Sequence, residues 1–460
     1  MNNAFRTFLT AFVLPAFVAS TSALLMFHFL LDRRTEEDEQ DRMAWILDAT
    51  QLVTDRYYEQ TSPEQLAYDA IRGIVSRDPY SEFIDPEMQE RFREENEGNY
   101  VGIGFVLYGE GAPVTVLHAF PDSPAARAGL RPGDRIIGVD GEDTRELSSD
   151  EIIGKIKLKN GEGQPVDLRI VPWSEDGGAE PIDVSVVRSR IFRPSVVDPR
   201  IVDEERGIAY VRLLGFQEHS VRELELALNG LATAGMKSLV LDLRGNRGGF
   251  LDQAVEITSL FLEEGVVLRT EGRTAAANEV YRTSQRAAPF RGVPLAILVD
   301  RQSASASEIV AGALQDYFRA VLVGDRTFGK GMVQSKIPRR YVVDGEEKVA
   351  HIKITTSRYF TPAGRCIERI RRRNEDTRLM SPENGLHPDV YVAVRDRDEW
   401  LWQQRYLADR EIAGETWALI AERCPEHERV VEDERDGFVD RQLRAAVDVL
   451  AGRPTFASIE

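Results

Sequence analysis

The stretch Arg301-Gln302-Ser303-Ala304-Ser305-Ala306-Ser307-Glu308 follows an apolar run over 294–299 and opens an apolar, helix-like pattern through Asp316. Small residues therefore stand where the N–H groups of a first helical turn lack intrahelical partners and the helix dipole favours negative charge. Such a place suits an oxyanion, and a hydroxyl there suits acyl transfer. Taken alone, the serines read first as caps, with Ser305 or Ser307 satisfying the first turn. The segment Thr327-Phe328-Gly329-Lys330-Gly331-Met332-Val333-Gln334 offers a base. An amine set between glycines and apolar neighbours is desolvated, and desolvation lowers a lysine pKa until the neutral form can take a serine proton. If the segment is extended, Lys330 and Gln334 share one strand face, and Gln334 can hold the amine in place. The structural alternative is a lysine snorkelling from a sheet. Histidines at 28, 118, 219, 351, 387 and 427 have no ligand spacing, and none stands in a triad-like context. Neither a metal nor a cofactor is expected.

The elements that must position these residues follow from periodicity. Beyond residue 190 the chain reads as α/β: strands over 207–213, 238–243, 294–299 and 320–323 alternate with helices over 220–234, 252–262 and 307–317. That alternation implies crossover units and a layered core. Upstream, apolar residues from Ala44 to Ile74 recur at helical spacing and stop at Asp78-Pro79-Tyr80-Ser81, a turn-forming cluster. Between about 98 and 190, short β-like runs are separated by glycine turns. Tyr100-Val101-Gly102-Ile103-Gly104-Phe105, Ser123-Pro124-Ala125-Ala126-Arg127-Ala128-Gly129-Leu130 and Arg131-Pro132-Gly133-Asp134 resemble a bacterial PDZ domain. Such domains add a peptide as a strand to a sheet edge and hold its carboxylate on backbone N–H groups. The resemblance puts the carboxylate loop at Gly102-Ile103-Gly104 and the pairing edge from Phe105 to Leu107; the plainer reading of the glycines is a tight turn.

Composition narrows the rest. The 460 residues suggest two or three domains, and 42% hydrophobic with 29% charged residues is ordinary for globular chains. A net charge of −18 repels phosphate backbones, so peptides or proteins are better ligands than nucleic acid. Two cysteines, Cys366 and Cys424, exclude a disulfide scaffold; one bridge or two thiols both fit. Residues 8–31 carry no Asp, Glu, Lys or Arg, long enough to cross a bilayer as a helix. An uncleaved anchor is expected there rather than a cleaved signal, although 19–23 (ASTSA) offers a small-residue exit site.

SASASEIVAGALQD followed by TFGKGMVQ resembles the carboxyl-terminal processing, or tail-specific, protease family of serine peptidases, family S41. The resemblance takes in Leu241-Asp242-Leu243-Arg244-Gly245-Asn246-Arg247-Gly248-Gly249, Tyr359-Phe360-Thr361-Pro362-Ala363-Gly364-Arg365 and His387-Pro388-Asp389-Val390. It spans about 44–394, with a last fragment at 440–446, while 395–437 is unlike the rest. It implies Ser305 as nucleophile, Lys330 as general base, Gln334 as the lysine-orienting residue, and the Gly249 and Ala306 amides as the oxyanion hole. Ser303 and Ser307 become local scaffolding. The implied fold is a ClpP/crotonase-like layered α/β protease core with an inserted β-rich PDZ domain and a helical N-terminal lead-in. Boundaries are expected at 1–35 (signal-anchor), 36–97 (helical), 98–192 (PDZ), 193–395 (core) and 396–460 (helical). The resemblance also implies export: a single-pass anchor in a bacterial inner membrane with the catalytic part in the periplasm, or a periplasmic protein if the segment is cleaved. Protein C-termini are the expected substrates. A homo-oligomer or a lipoprotein adaptor stays open, and the tryptophans at 400, 402 and 417 read as packing residues or as an oligomer interface. Two other classes compete: a PDZ adaptor without turnover, and a crotonase-type acyl-CoA enzyme.

Overall fold

The computed structural model describes residues 43–453 except 87, 90–97, 109–113, 158–160, 285–287, 344, 369–384, 395–396, 410–411, 413 and 425–438. These fall into two units, residues 43–86 with 336–354, and the remainder. The apolar segment 8–31, and with it the anchor, lies outside the described residues. Among the described residues no helix is long and apolar enough to cross a membrane.

In the first unit, helix α1 covers 43–56 and α2 (Pro63–Val75) begins on Ser62, whose hydroxyl accepts from the Gln65 N–H, with Pro63 in the first turn where its missing N–H costs nothing. The turn at Asp78 is closed by its own side chain: Oδ1 accepts from the Tyr80 and Ser81 amides at 2.8 and 2.9 Å. Strand β1 (Glu82–Ile84) then pairs antiparallel with residues 351–353. Lys353 and Lys348 reach Glu82 and Glu64, each at 2.7 Å, and Phe83 is buried 5.4 Å from the Tyr68 ring. These contacts group the ribbon 336–354 with the helical lead-in, although the expected core boundary of 193–395 includes it.

The second unit opens with β2 (Asn99–Gly102), β3 (Phe105–Tyr108), β4 (Thr115–Ala119), α3 (Pro124–Arg127), β5 (Arg135–Val139), β6 (Glu142–Asp143), α4 (Ser149–Ile156), β7 (Pro165–Val171), β8 (Ile182–Val187) and β9 (Ser189–Phe192). The sheet order is β3-β4-β5-β7-β8, which leaves β3 at an edge, while β2 pairs with β9. Strand β7 alternates exposed and buried residues, so Val166, Leu168 and Ile170 face a core shared with Ile136, Ile152 and Ile103.

Beyond it come β10 (Val196–Asp203), β11 (Ile208–Leu213), α5 (Ser220–Thr233), β12 (Ser238–Asp242), α6 (Leu251–Phe261), β13 (Val266–Gly272), β14 (Val280–Arg282) and β15 (Leu295–Val299). These are followed by α7 (Ala306–Asp316), β16 (Val321–Gly324), β17 (Met332–Val343), β18 (Glu346–Phe360), β19 (Val390–Tyr391), α8 (Arg397–Asp409), α9 (Gly414–Arg423) and α10 (Arg441–Leu450). Strands β11, β12 and β15 are buried at every position, as a parallel sheet covered on both faces requires. Alternate residues separate the two covers: Val211, Leu241 and Ile297 pack with α5, α6 and α7, whereas Tyr210, Val240 and Leu298 pack with Leu443 and Ala446 of α10. The sheet order is β10-β11-β12-β15-β16-β19, so the carboxyl ends of β12 and β15 lie side by side. In α/β sheets that is where ligands and chemistry gather.

Helix α9 packs on the β-rich domain. Trp417, Ile420 and Cys424 bury themselves with Leu117, and with Val106 and Tyr108 on the face of β3 opposite Phe105 and Leu107. Trp417 also donates to the Asp409 carbonyl, so this tryptophan is a packing residue. Cys424 is buried, Cys366 is exposed, and they are not joined.

Candidate active site

Strand β15 delivers the chain to Asp300, whose Oδ1 accepts from the amides of Gln302, Ser303 and Gly245 at 2.9, 3.0 and 3.0 Å. Burial pushes the Asp300 carboxyl above its ordinary range, against the pull of those amides. One side chain thus bolts the serine loop to the turn after β12. Two of the three serines strengthen the joint: Ser303 Oγ donates to the Leu243 carbonyl at 2.8 Å and Ser307 Oγ to that of Asn246 at 2.9 Å. Asn246 O also accepts from Ala304 N.

The middle serine differs. Ser305 stands half-buried at the mouth of α7 with φ +57° and ψ −114°, a conformation that belongs to glycine and costs a side-chain-bearing residue of order 1–3 kcal/mol. It persists because its surroundings leave no alternative. The Ser305 amide donates to Glu308 Oε2 at 2.9 Å, and Tyr359 Oη donates to the Ser305 carbonyl at 3.2 Å.

Glu308 is fully buried, and its carboxylate joins the serine to the lysine segment. The oxygen that takes the Ser305 amide also takes the Lys330 amide at 2.9 Å, so the two backbone nitrogens are no farther apart than twice that distance. The other oxygen accepts from Gly329 N at 2.8 Å and Thr327 Oγ1 at 2.5 Å. Burial pushes the Glu308 carboxyl above the usual range, and the four donors oppose it. Tyr359 makes a second tie: its amide donates to the Gly331 carbonyl at 2.8 Å while its hydroxyl holds Ser305.

Gln334 lies farther along. Strand β17 starts at Met332, so Lys330 precedes the strand rather than sharing a paired face with Gln334, whose Nε2 donates to Thr355 Oγ1 at 3.3 Å.

The glycine turn abuts the serine. A Cβ on Gly248, where φ is +100°, would stand 2.8 Å from Ser305 Cβ and 3.0 Å from Ala306 N. On Gly249 it would strike the Phe216 carbonyl at 2.2 Å, because Phe216 brackets the turn by donating to Gly248 O and accepting from Phe250 N. Ala306 begins α7, so its N–H has no intrahelical acceptor. Gly248→Ala is therefore expected to cost about 1–3 kcal/mol, read as a shift in thermal unfolding, because the backbone atoms Ala304 O and Ala306 N, 2.8 and 3.0 Å from the new Cβ, cannot yield.

The PDZ residues stand apart from this cluster. Gly102 pairs with Ser189, Ile103 is buried, Gly104 has φ +76°, and Phe105 starts the edge strand opposite Ala119. The carbonyls of Ile103 and Gly104 are taken by Ala125 N and Phe120 N.

Sequence reasoning assigned no role to Glu308, Thr327 or Tyr359. For Glu308 the signal was present, since Ser305-Ala306-Ser307-Glu308 has capping-box spacing. Thr327 and Tyr359 act through contacts that no local pattern encodes.

Residues 207–392 match the model of peptidase family S41, and residues 119–171 match a PDZ domain. The carboxy-terminal-processing protease of Bartonella bacilliformis is 31% identical over 400 residues, covering 86% of this chain and 85% of that protein. A probable CtpA-like serine protease of Staphylococcus saprophyticus is 31% identical over 334 residues; the match takes in 72% of this chain but only 64% of the relative's length. Among solved structures, a photosystem II D1 C-terminal processing protease aligns over 76% of this chain and 92% of that one, at 25% identity and a TM-score of 0.41. The 31% identity to the Bartonella protease over 86% of this chain, together with the matches to the S41 and PDZ models, places the chain in peptidase family S41 among the carboxy-terminal-processing proteases.

Proposed function

We propose that the chain is a serine endopeptidase that cuts peptide bonds with Ser305 and Lys330 and selects substrates by their C-terminal tails. The observation that carries this reading is the single Glu308 oxygen receiving both the Ser305 and the Lys330 amides, which supports side chains meeting at the mouth of α7. The neutral Lys330 amine removes the Ser305 proton as Oγ attacks the scissile carbonyl carbon. The carbonyl oxygen takes up the displaced electron pair and is stabilised by the Gly249 and Ala306 amides, donors already in place before charge develops. Lys330 then returns the proton to the leaving nitrogen as the C–N bond breaks. Water, deprotonated by the same amine, hydrolyses the acyl-enzyme. Gln334 orients Lys330 in this scheme.

Tail selection is assigned to Gly102, Ile103, Gly104 and Phe105, supported by the position of β3 at a sheet edge, where a peptide strand can be added. The apolar segment 8–31 supports a membrane anchor, and export of the catalytic part to the periplasm rests on the family resemblance. The test is a pair of peptides identical except for a free or amidated C-terminus, incubated with the protein and followed by mass spectrometry. Internal cleavage of the free-acid peptide is expected at least about tenfold faster, since the amide removes the charge that the backbone loop would bind. Equal rates would remove tail selection, and no cleavage of either peptide would remove the peptidase reading.

A further inference from the structure

The motif fragment at 440–446 has no part in the chemistry above, yet its first residue reaches the loop that borders Ser305. Arg244 follows β12 and is fully buried, as are Asp242 and Asp440. Its guanidinium is gripped from two sides. Asp242 takes Nε on both oxygens at 3.0 Å and Nη2 at 2.6 Å, while Asp440 takes Nη1 and Nη2 at 2.8 and 2.9 Å. Asp440 also caps α10 by accepting from Leu443 N at 3.0 Å, so the helix and the arginine are fixed by one carboxylate. Gln442 Oε1 adds a second acceptor to Nη1 at 3.2 Å.

The turn 245–249 starts from this anchor. Gly245 N is held by Asp300, Asn246 Nδ2 donates to the Leu213 carbonyl at 2.8 Å, and Gly248 N donates to Asn246 Oδ1 at 2.9 Å before the turn meets Ser305. Asp242 alone leaves Nη1 without a charged partner. Asp242 also accepts the Arg244 amide at 2.8 Å, so Asp440 adds the second side of the fork, on Nη1 and Nη2, and ties the start of the turn to α10. The geometry points to Asp440 as a positioning residue: through its two-point ion pair with Arg244 it sets the turn 245–249, and hence the amide offered to the oxyanion. This rests on the acyl-transfer reading above. It also makes the chain after the 395–437 stretch part of the active-site scaffold.

The test compares the unmodified protein with Asp440→Asn and Asp440→Glu by peptide cleavage and by amide hydrogen exchange read across 243–250. Asp440→Asn keeps the shape and one acceptor. It is expected to lower kcat about tenfold with KM within twofold, and to speed exchange in 245–249 while α5 stays as protected as before. Asp440→Glu, which restores the charge, is expected to recover part of kcat. A kcat equal to the unmodified protein's, or a lowered unfolding temperature with unchanged exchange in the turn, would overturn the positioning role. If Asp440→Asn does not fold, Asp440→Glu is read by the same two criteria. If the unmodified protein cleaves no faster than Ser305→Ala, the acyl-transfer reading falls, and exchange in 245–249 alone decides: acceleration in Asp440→Asn supports the role, unchanged protection overturns it.

Discussion

Ser305→Ala is expected to lower kcat/KM for peptide cleavage by at least about 10³-fold, and Lys330→Ala to do the same, with far-ultraviolet circular dichroism unchanged in both. Lys330→Arg is the sharper variant. It supplies a fixed positive charge at similar reach, but a guanidinium stays protonated in proteins and cannot take a proton from a hydroxyl. It should therefore be as inactive as Lys330→Ala if the lysine is a base, and partly active if only its charge matters. If the two residues act as one nucleophile–base unit, as proposed, the double variant should be no slower than either single one. Ser303→Ala and Ser307→Ala delete a hydrogen bond to the turn carbonyls and are expected to cost only about 0.5–1.5 kcal/mol of stability each, with cleavage retained.

The second large effect falls on Glu308. Its four donors come from Ser305, Thr327, Gly329 and Lys330, two segments that meet through this one carboxylate. Glu308→Ala would orphan all four in a cavity and is expected to destabilise the fold by about 3–5 kcal/mol. Glu308→Gln is more informative, since it keeps the shape and turns one acceptor into a donor. Whichever oxygen is replaced, two N–H or O–H groups face an NH₂. The expected result is a loss of about 1–3 kcal/mol in thermal unfolding and a kcat about 10²-fold lower, with KM little changed. Unchanged kcat at reduced stability would make Glu308 a structural residue only.

Much of this architecture is legible in the sequence where the signal is local. The strands over 207–213, 238–243 and 294–299 and the helices over 220–234 and 252–262 fall within a residue or two of the observed elements, because fully apolar runs and clear amphipathic periods leave few alternatives. The Asp78 turn was likewise readable from its residue types. The long hairpin of β17 and β18 was not. Its outer ribbon is rich in Arg, Lys and Glu and takes its order from pairing with β1, a partner distant in sequence. The same holds for the site. Helix onset and glycine content marked Ser305 and Lys330, and the resemblance to a family supplied their pairing. The bolts between segments, Asp300 to Gly245, Glu308 to Lys330 and Arg244 to Asp440, exist only once the chain is folded, and a buried carboxylate reads in sequence like any surface acid.

Labelling the protein with a fluorophosphonate and locating the adduct by peptide mass spectrometry tests the central claim most directly, because among serines such a reagent phosphonylates by strong preference a hydroxyl activated by a neighbouring base. A single adduct on Ser305, lost in both Lys330→Ala and Lys330→Arg, is the outcome the proposed dyad predicts. An adduct on Ser303 or Ser307, or labelling of Ser305 that persists without the lysine amine, would contradict it.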